Sequence, residues 1–303
     1  MLNERRADFA TLGFFYPQCG IPAGSHGHHN LAWQLSGDRR FDPAVGTIEQ
    51  ALNEIAGDER DVVLSAEDFT SSFGKGVALG DFVDRLKAAS CEVVFVVYLR
   101  NQAAYLRSLY LELVRHGLPC HFAPFLADAL DNGIVRWREW NFFVDYRQLI
   151  ESLPRAAEVR ARAYGPETSI IDDFLGVLGL TRAQLGPTRD YRANPQWSAR
   201  EIWPIYFANR TGAPFPEGDS AATALLDAAL GANPSAMSAA SQARVLAAFQ
   251  ASNAWVKQRY GVAGLDGASP NDSPETGAGL ESAFSEATIR AIVSYLQRPG
   301  ETR

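Results

Sequence analysis

The run Glu92–Leu99, EVVFVVYL, constrains this chain more than any other segment. Its Val and aromatic residues favour an extended backbone and make it the strongest strand signal in the chain. Asn101 follows as an N-cap for a helix over 102–116, which Gly117 and Pro119 stop. A shorter apolar strand is expected at Asp61–Ser65, followed by an amphipathic helix at Gly80–Ala89. A third, more polar strand at Glu158–Ala163, nearer a sheet edge, precedes a helix over Thr168–Leu178. This alternation predicts an α/β fold, with a parallel sheet flanked by helices. Upstream, residues 3–13 read as a helix ending at Gly13, Gly20–Asn30 as a loop, Leu31–Leu35 as a short helix and Thr47–Ala56 as another. Beyond Trp197 the character changes. Trp197–Arg210, Ser238–Tyr260 and Ser285–Gln297 read as helices with no strong strand between them, so the C-terminal half is expected to be mostly helical. Gly261–Gly279 collects Gly, Pro, Ser, Asp and Asn and reads as a linker. One domain over 1–261, then a linker and C-terminal helix over 262–303, is the expected organisation.

Charge and cysteine content narrow the function classes. With 28 basic against 35 acidic residues the net charge is −7, which argues against bulk attraction to nucleic acid or an anionic membrane. An anionic small ligand would have to be held by local arginines. The longest apolar run, Val93–Leu99, is far too short to span a bilayer, and MLNERRADFA has no apolar signal core. Cys19, Cys91 and Cys120 match neither a disulfide framework nor a metal knuckle, so a reduced, cytoplasmic setting and no metal are expected.

Ligands of open parallel sheets bind beyond the carboxyl ends of the strands. The first strand presents Ser65, Glu67 and Asp68 there. The second presents Arg100 and, eight residues on, Ser108. A guanidinium and a hydroxyl so placed could converge on one phosphate; equally, the arginine could be a salt-bridge partner and the serine filler. In GSHGHHN, His26, His28 and His29 admit three readings: metal ligands, solvated or capping histidines, or a general base that is neutral near pH 7. Glu67 competes with His28 and His29 as base, against the plainer reading that Glu67 and Asp68 cap the next turn. The aromatic stretch Trp137, Trp140, Phe142, Phe143 and Tyr146 is read first as core and second as an acceptor pocket.

The runs VVLSAEDF and VVFVVYLRNQAAYLRSLYLELVRHG, the pair Asp145-Tyr146, EVRARAYGPETSIIDDFLGVLGL, Arg192-Ala-Asn194, Asn209-Arg210 and MSAASQARVLAAFQASNAWVKQRYG occur in that order. Together they resemble the bacterial sulfotransferases that use 3′-phosphoadenylyl sulfate, over roughly Asn3 to Gly261. The resemblance implies a P-loop nucleotide-binding type of sheet. It also implies transfer of a sulfuryl group from 3′-phosphoadenylyl sulfate to a hydroxyl of a carbohydrate or small molecule. Arg100 and Ser108 match the family's pair for the donor's 3′-phosphate, and Arg192 is a further candidate contact. A similar HH.LAW segment in the family makes His29 or His28 candidate bases beside Glu67. No metal is required. One element departs from the pattern: the strand and HKTGTTS-like loop that cradle the 5′-phosphosulfate are missing, and Phe73-Gly-Lys75-Gly lacks the spacing to replace them. Either the recorded start is downstream of the true one or the element is lost, so weak donor binding and slow turnover are expected. The alternative is a non-catalytic nucleotide-binding or interaction module of the same fold.

Overall fold

The computed structural model describes residues 1–73, 77–165, 169–185, 197–231, 237–267 and 279–297. Lys75, Arg192, Ala193 and Asn194, and most of the expected linker, lie outside the described residues. In chain order the elements are α1 (Arg6–Thr11), β1 (Phe14–Phe15), α2 (His29–Ser36), α3 (Ile48–Ala56), β2 (Asp61–Val62), a 3₁₀ helix (Glu67–Ser72), α4 (Val77–Ala88) and β3 (Val94–Arg100). They continue with α5 (Gln102–Arg115), α6 (Phe122–Asn132), β4 (Ile134–Trp137), β5 (Trp140–Phe143), α7 (Tyr146–Glu151), β6 (Glu158–Tyr164), α8 (Ile170–Val177) and α9 (Arg182–Leu185). The rest is helical: α10 (Ala199–Thr211), α11 (Ser220–Leu230), α12 (Ala239–Tyr260), α13 (Leu280–Ala283) and α14 (Glu286–Leu296).

Two compact units share these elements. The first comprises Met1–Leu99, Ile134–Ala193 and Trp255–Val262; the second comprises Arg100–Gly133, Asn194–Ala254 and Ala263–Arg303. Apart from Arg100, the last residue of β3, every described strand residue belongs to the first unit, and the second is built of helices. The mixed α/β class and the helical C-terminal half agree with expectation. The sheet does not take the expected single form: among the described residues β1 pairs with β2, β3 with β6 and β4 with β5. The β1–β2 pair is parallel, with Phe14 opposite Asp61 and Phe15 opposite Val62. The β4–β5 pair is an antiparallel hairpin that brings Trp137 opposite Trp140.

The expected strand Asp61–Ser65 stops at Val62 because Ser65 is engaged by a residue distant in sequence. Val63 N–H still bonds to Phe15 C=O at 2.9 Å, but both backbone groups of Ser65 go to His28 instead of to a strand. Helix ends follow their caps. Thr47 closes a capping box with Gln50 at α3, Asn101 accepts from Ala104 N–H at α5, and Asp145 accepts from Gln148 N–H at α7. Ser198 and Glu201 form a second capping box at α10.

In the first unit Phe9, Phe14, Tyr16, Val63, Leu175, Leu180 and Leu185 form one buried cluster, which joins α1 and β1 to α8 and α9. In the second, an aromatic chain runs through Tyr110, Phe122, Phe284, Tyr206 and Trp203, with Tyr110 5.0 Å from Phe122 and Tyr206 4.9 Å from Phe284 between ring centroids. Trp203 is fully buried and its indole N–H donates to Ala283 C=O at 2.9 Å, so its one polar atom is satisfied. Among the described residues no helix is long and apolar enough to cross a membrane.

Candidate functional site

The loop ahead of α2 is fastened to the end of β2 by one histidine. His28 is completely buried. Its backbone N–H donates to Ser65 C=O at 2.7 Å, and its Nδ1 accepts from Ser65 N–H at 3.1 Å. That acceptor role places the ring proton on Nε2, which donates to Pro17 C=O at 3.0 Å. Burial is the chief reason the imidazole pKa falls to about 4. His28 is thus a neutral structural link with both ring nitrogens engaged by backbone.

Gly27 makes this approach possible. A Cβ there would lie 2.7 Å from Ser65 C=O and 3.2 Å from His29 Nε2. Asn30 secures the other side of the loop: its fully buried side chain donates to the carbonyls of Asp42 and Gly46 at 2.8 and 2.7 Å and accepts from Asp42 N–H at 3.0 Å.

With the loop so fixed, α2 lies against the 3₁₀ helix and His29 meets Asp68. His29 Nδ1 is 2.8 Å from Asp68 Oδ2, and Trp33 Nε1, one turn along α2, donates to the same oxygen at 2.7 Å. Arg40 Nη2 is 3.8 Å from it. Burial alone would raise the Asp68 pKa; the bonds from His29 and Trp33 and the Arg40 charge outweigh it and hold the carboxyl below its usual range. An ionised Asp68 accepts only, so His29 donates to it from Nδ1 and Nε2 is the ring nitrogen that remains. That nitrogen has no hydrogen-bond partner among the described residues, and the side chain is 22% exposed. The pair has the form of a general base with an orienting carboxylate.

The surroundings are aromatic and cationic. The Arg40 guanidinium sits 4.5 Å from the Trp33 ring centroid and 5.1 Å from that of Trp140. Buried Asp38 holds it through Nε at 3.1 Å and Nη2 at 2.6 Å, and also accepts from Trp140 Nε1 at 3.3 Å. The aromatic stretch therefore divides: Phe143 and Tyr146 are core, whereas Trp137, Trp140 and Phe142 are half-buried. Glu67 is exposed at the start of the 3₁₀ helix, and its backbone carbonyl accepts from Thr70 Oγ1 at 2.9 Å. Its neighbour Asp68 is the carboxylate that meets a histidine. The sequence alone places Asp68 beyond the first strand and reads it as a polar site residue or as one that caps or solvates the next turn. The available signal was the i, i+4 pair His29 and Trp33, two donors on one helix face that call for a common acceptor.

The second expected pair belongs to the second unit. Arg100 closes β3, Asn101 caps α5 and Ser108 lies two turns into that helix. Arg100 Nη1 donates to Ser108 Oγ at 3.2 Å, and Ser108 Oγ donates to Ala104 C=O at 3.1 Å. Both residues are half-buried. The turn between them is braced from elsewhere in the same unit: Asn101 Nδ2 donates to the carbonyls of Leu265 and Gly267 at 2.9 and 2.7 Å. Buried Gln102 exchanges hydrogen bonds with buried Asn253, which also donates to Asp266 Oδ1 at 2.9 Å.

Among the described residues no group of three His, Cys, Asp or Glu side chains is placed to hold a metal ion. His26 is exposed and contributes its backbone carbonyl to Tyr16 O–H at 2.9 Å. No family model matches the chain, no curated protein matches it, and no solved structure matches it.

Proposed function

We propose that this protein is a sulfotransferase-like enzyme that takes a sulfuryl group from 3′-phosphoadenylyl sulfate to a hydroxyl of a carbohydrate or small molecule. The observation that carries the reading is the Arg100–Ser108 hydrogen bond at the strand-to-helix turn. In this reading the guanidinium and the hydroxyl grip the donor's 3′-phosphate. Ser108 already turns its oxygen toward Arg100, and rotation about Cβ–Oγ moves its proton from the Ala104 carbonyl to a phosphate oxygen. Charge-assisted bonds of this kind contribute about 1.5–3 kcal/mol each.

His29 is the proposed base. In this reading its Nε2 takes the acceptor hydroxyl proton as the oxygen attacks sulfur, the bond from sulfur to the 5′-phosphate oxygen breaks, adenosine 3′,5′-bisphosphate leaves with the electron pair, and Asp68 stabilises the imidazolium that results. His28 has both nitrogens committed to backbone, which supports giving the role to its neighbour. The Trp33–Arg40–Trp140 stack beside His29 offers a flat aromatic and cationic surface suited to a sugar ring.

The test is transfer of radiolabelled sulfuryl from the donor to a panel of carbohydrate and phenolic acceptors. Label should reach at least one acceptor with the wild type, and His29→Ala should lower kcat by about 10²–10⁴-fold, the range for a lost general base. No transfer by the wild type, combined with binding of the desulfated nucleotide, would leave a nucleotide-binding module in place of an enzyme. Neither transfer nor binding would remove both.

A further inference from the structure

Arg6, the first residue of α1, carries a charge that no carboxylate among the described residues answers. Among the described residues its polar contacts are with neutral amides. Nη2 donates to Asn3 Oδ1 at 2.6 Å, and the Gln18 amide, turned to present its oxygen, accepts from the guanidinium. Its Nε is buried with no hydrogen-bond partner. The nearby ionic groups are engaged elsewhere: Asp8 with Arg5 at 2.5 Å, and Glu4 with the terminal amino group at 3.8 Å. A partly buried cation with an unmet donor is costly unless an anion accompanies it.

Beside Arg6 lies a cleft of about 310 Å³, formed by α1, Gln18 and the turn through residues 21–25. Among the described residues that line it Arg6 is the charged side chain, and Asn3, Gln18 and Ser25 supply the polar remainder. Gly24, at φ +75°, keeps the turn tight on that side. The volume is at the lower end of the range for small-ligand pockets, roughly 300–1,000 Å³. The cleft is open to solvent over much of its extent, so an anion held at Arg6 could carry a small organic group lying toward solvent.

We propose that this cleft binds a small oxyanion, a carboxylate, phosphate or sulfate group carried on a small molecule, with Arg6 as its anchor. The planar fork of a guanidinium matches two oxygens of such a group. The proposal is independent of the sulfuryl-transfer reading, which assigns the donor phosphate to Arg100 and Ser108.

The test is an NMR titration of the full chain with inorganic phosphate, inorganic sulfate and acetate, at ionic strength held constant with chloride. The Arg6 Nε–H signal and the amides of Gly24 and Ser25 should shift together and saturate for at least one anion, with a dissociation constant of about 1 mM or tighter. Preference for phosphate or sulfate identifies a tetrahedral group, and equal or stronger binding of acetate identifies a carboxylate. Arg6→Gln should abolish the saturable shift. Gln18→Glu, which keeps Arg6 and offers it an internal carboxylate, should also abolish it, and covers the case in which the Arg6 variant fails to fold. Unsaturable drift with all three anions, or unchanged binding in Gln18→Glu, overturns the proposal.

Discussion

Asp68 Oδ2 accepts from both His29, at 2.8 Å, and Trp33, at 2.7 Å, so a single oxygen fixes two successive turns of α2. The carboxyl is held below its ordinary range, which sets the His29 proton on Nδ1. Nitrogen-detected NMR of the ring should therefore report a proton held on Nδ1 in the wild type. In Asp68→Ala that preference should be lost, while the His28 ring signals keep the Nε2–H form. An Nε2–H tautomer at His29 in the wild type would contradict the arrangement.

His28 makes stability depend on pH. Its folded-state pKa, near 4, lies below the unfolded value of about 6.5. Between those values the unfolded chain binds a proton that the folded chain refuses, so stability falls as pH drops from about 6.5 to about 4, by roughly 3 kcal/mol in all. Below that window the ring contributes no further slope. Urea unfolding across this range should show the loss, and His28→Phe should flatten it. The variant also leaves Ser65 N–H and Pro17 C=O without their partner, so it should be less stable near neutral pH by about 1–3 kcal/mol per orphaned group.

Gly27 is required for close approach. A methyl group at 2.7 Å from Ser65 C=O must displace backbone, because the contact is to a carbonyl oxygen and not to a flexible side chain. Gly27→Ala should cost about 1–3 kcal/mol and should disturb the His29 ring signals more than those of Arg100. A variant as stable as the wild type with unchanged His29 signals would show that the loop can yield.

The brace behind Arg100 is predicted to matter for binding as well as for stability. Asn253→Ala removes both bonds to buried Gln102 and the bond to Asp266. The expected loss is about 2–4 kcal/mol of stability, from a buried amide left unsatisfied. Weaker affinity for adenosine 3′,5′-bisphosphate should accompany it, because the start of α5 loses a support. Chemical unfolding and calorimetry on the same preparation check the two effects separately.

The strongest elements were legible because local and tertiary preferences agree in them. EVVFVVYL became β3, and Asn101 capped α5 as its position required. The β4–β5 hairpin was not read, because its alternation is carried by Trp and Phe on a short span and looks like an aromatic core cluster. The end of β2 was misplaced by three residues for a reason no local pattern carries: Ser65 spends its backbone groups on His28, thirty-seven positions away. The Arg100–Ser108 pair was legible from a strand end and two helical turns. The His29–Asp68 pair was half legible, since the histidine was visible and its partner depended on how the loop folds back.

The most direct measurement is calorimetric titration of adenosine 3′,5′-bisphosphate onto the wild type, Arg100→Ala, Ser108→Ala and the double variant. The wild type should bind. Arg100→Ala should lose about 1.5–3 kcal/mol, roughly 10- to 150-fold in affinity, with a smaller loss for Ser108→Ala and a combined loss that departs from the sum, as expected of two groups joined at 3.2 Å on one ligand. Equal affinity in the wild type and in folded Arg100→Ala, or no binding by the wild type, would contradict the assignment.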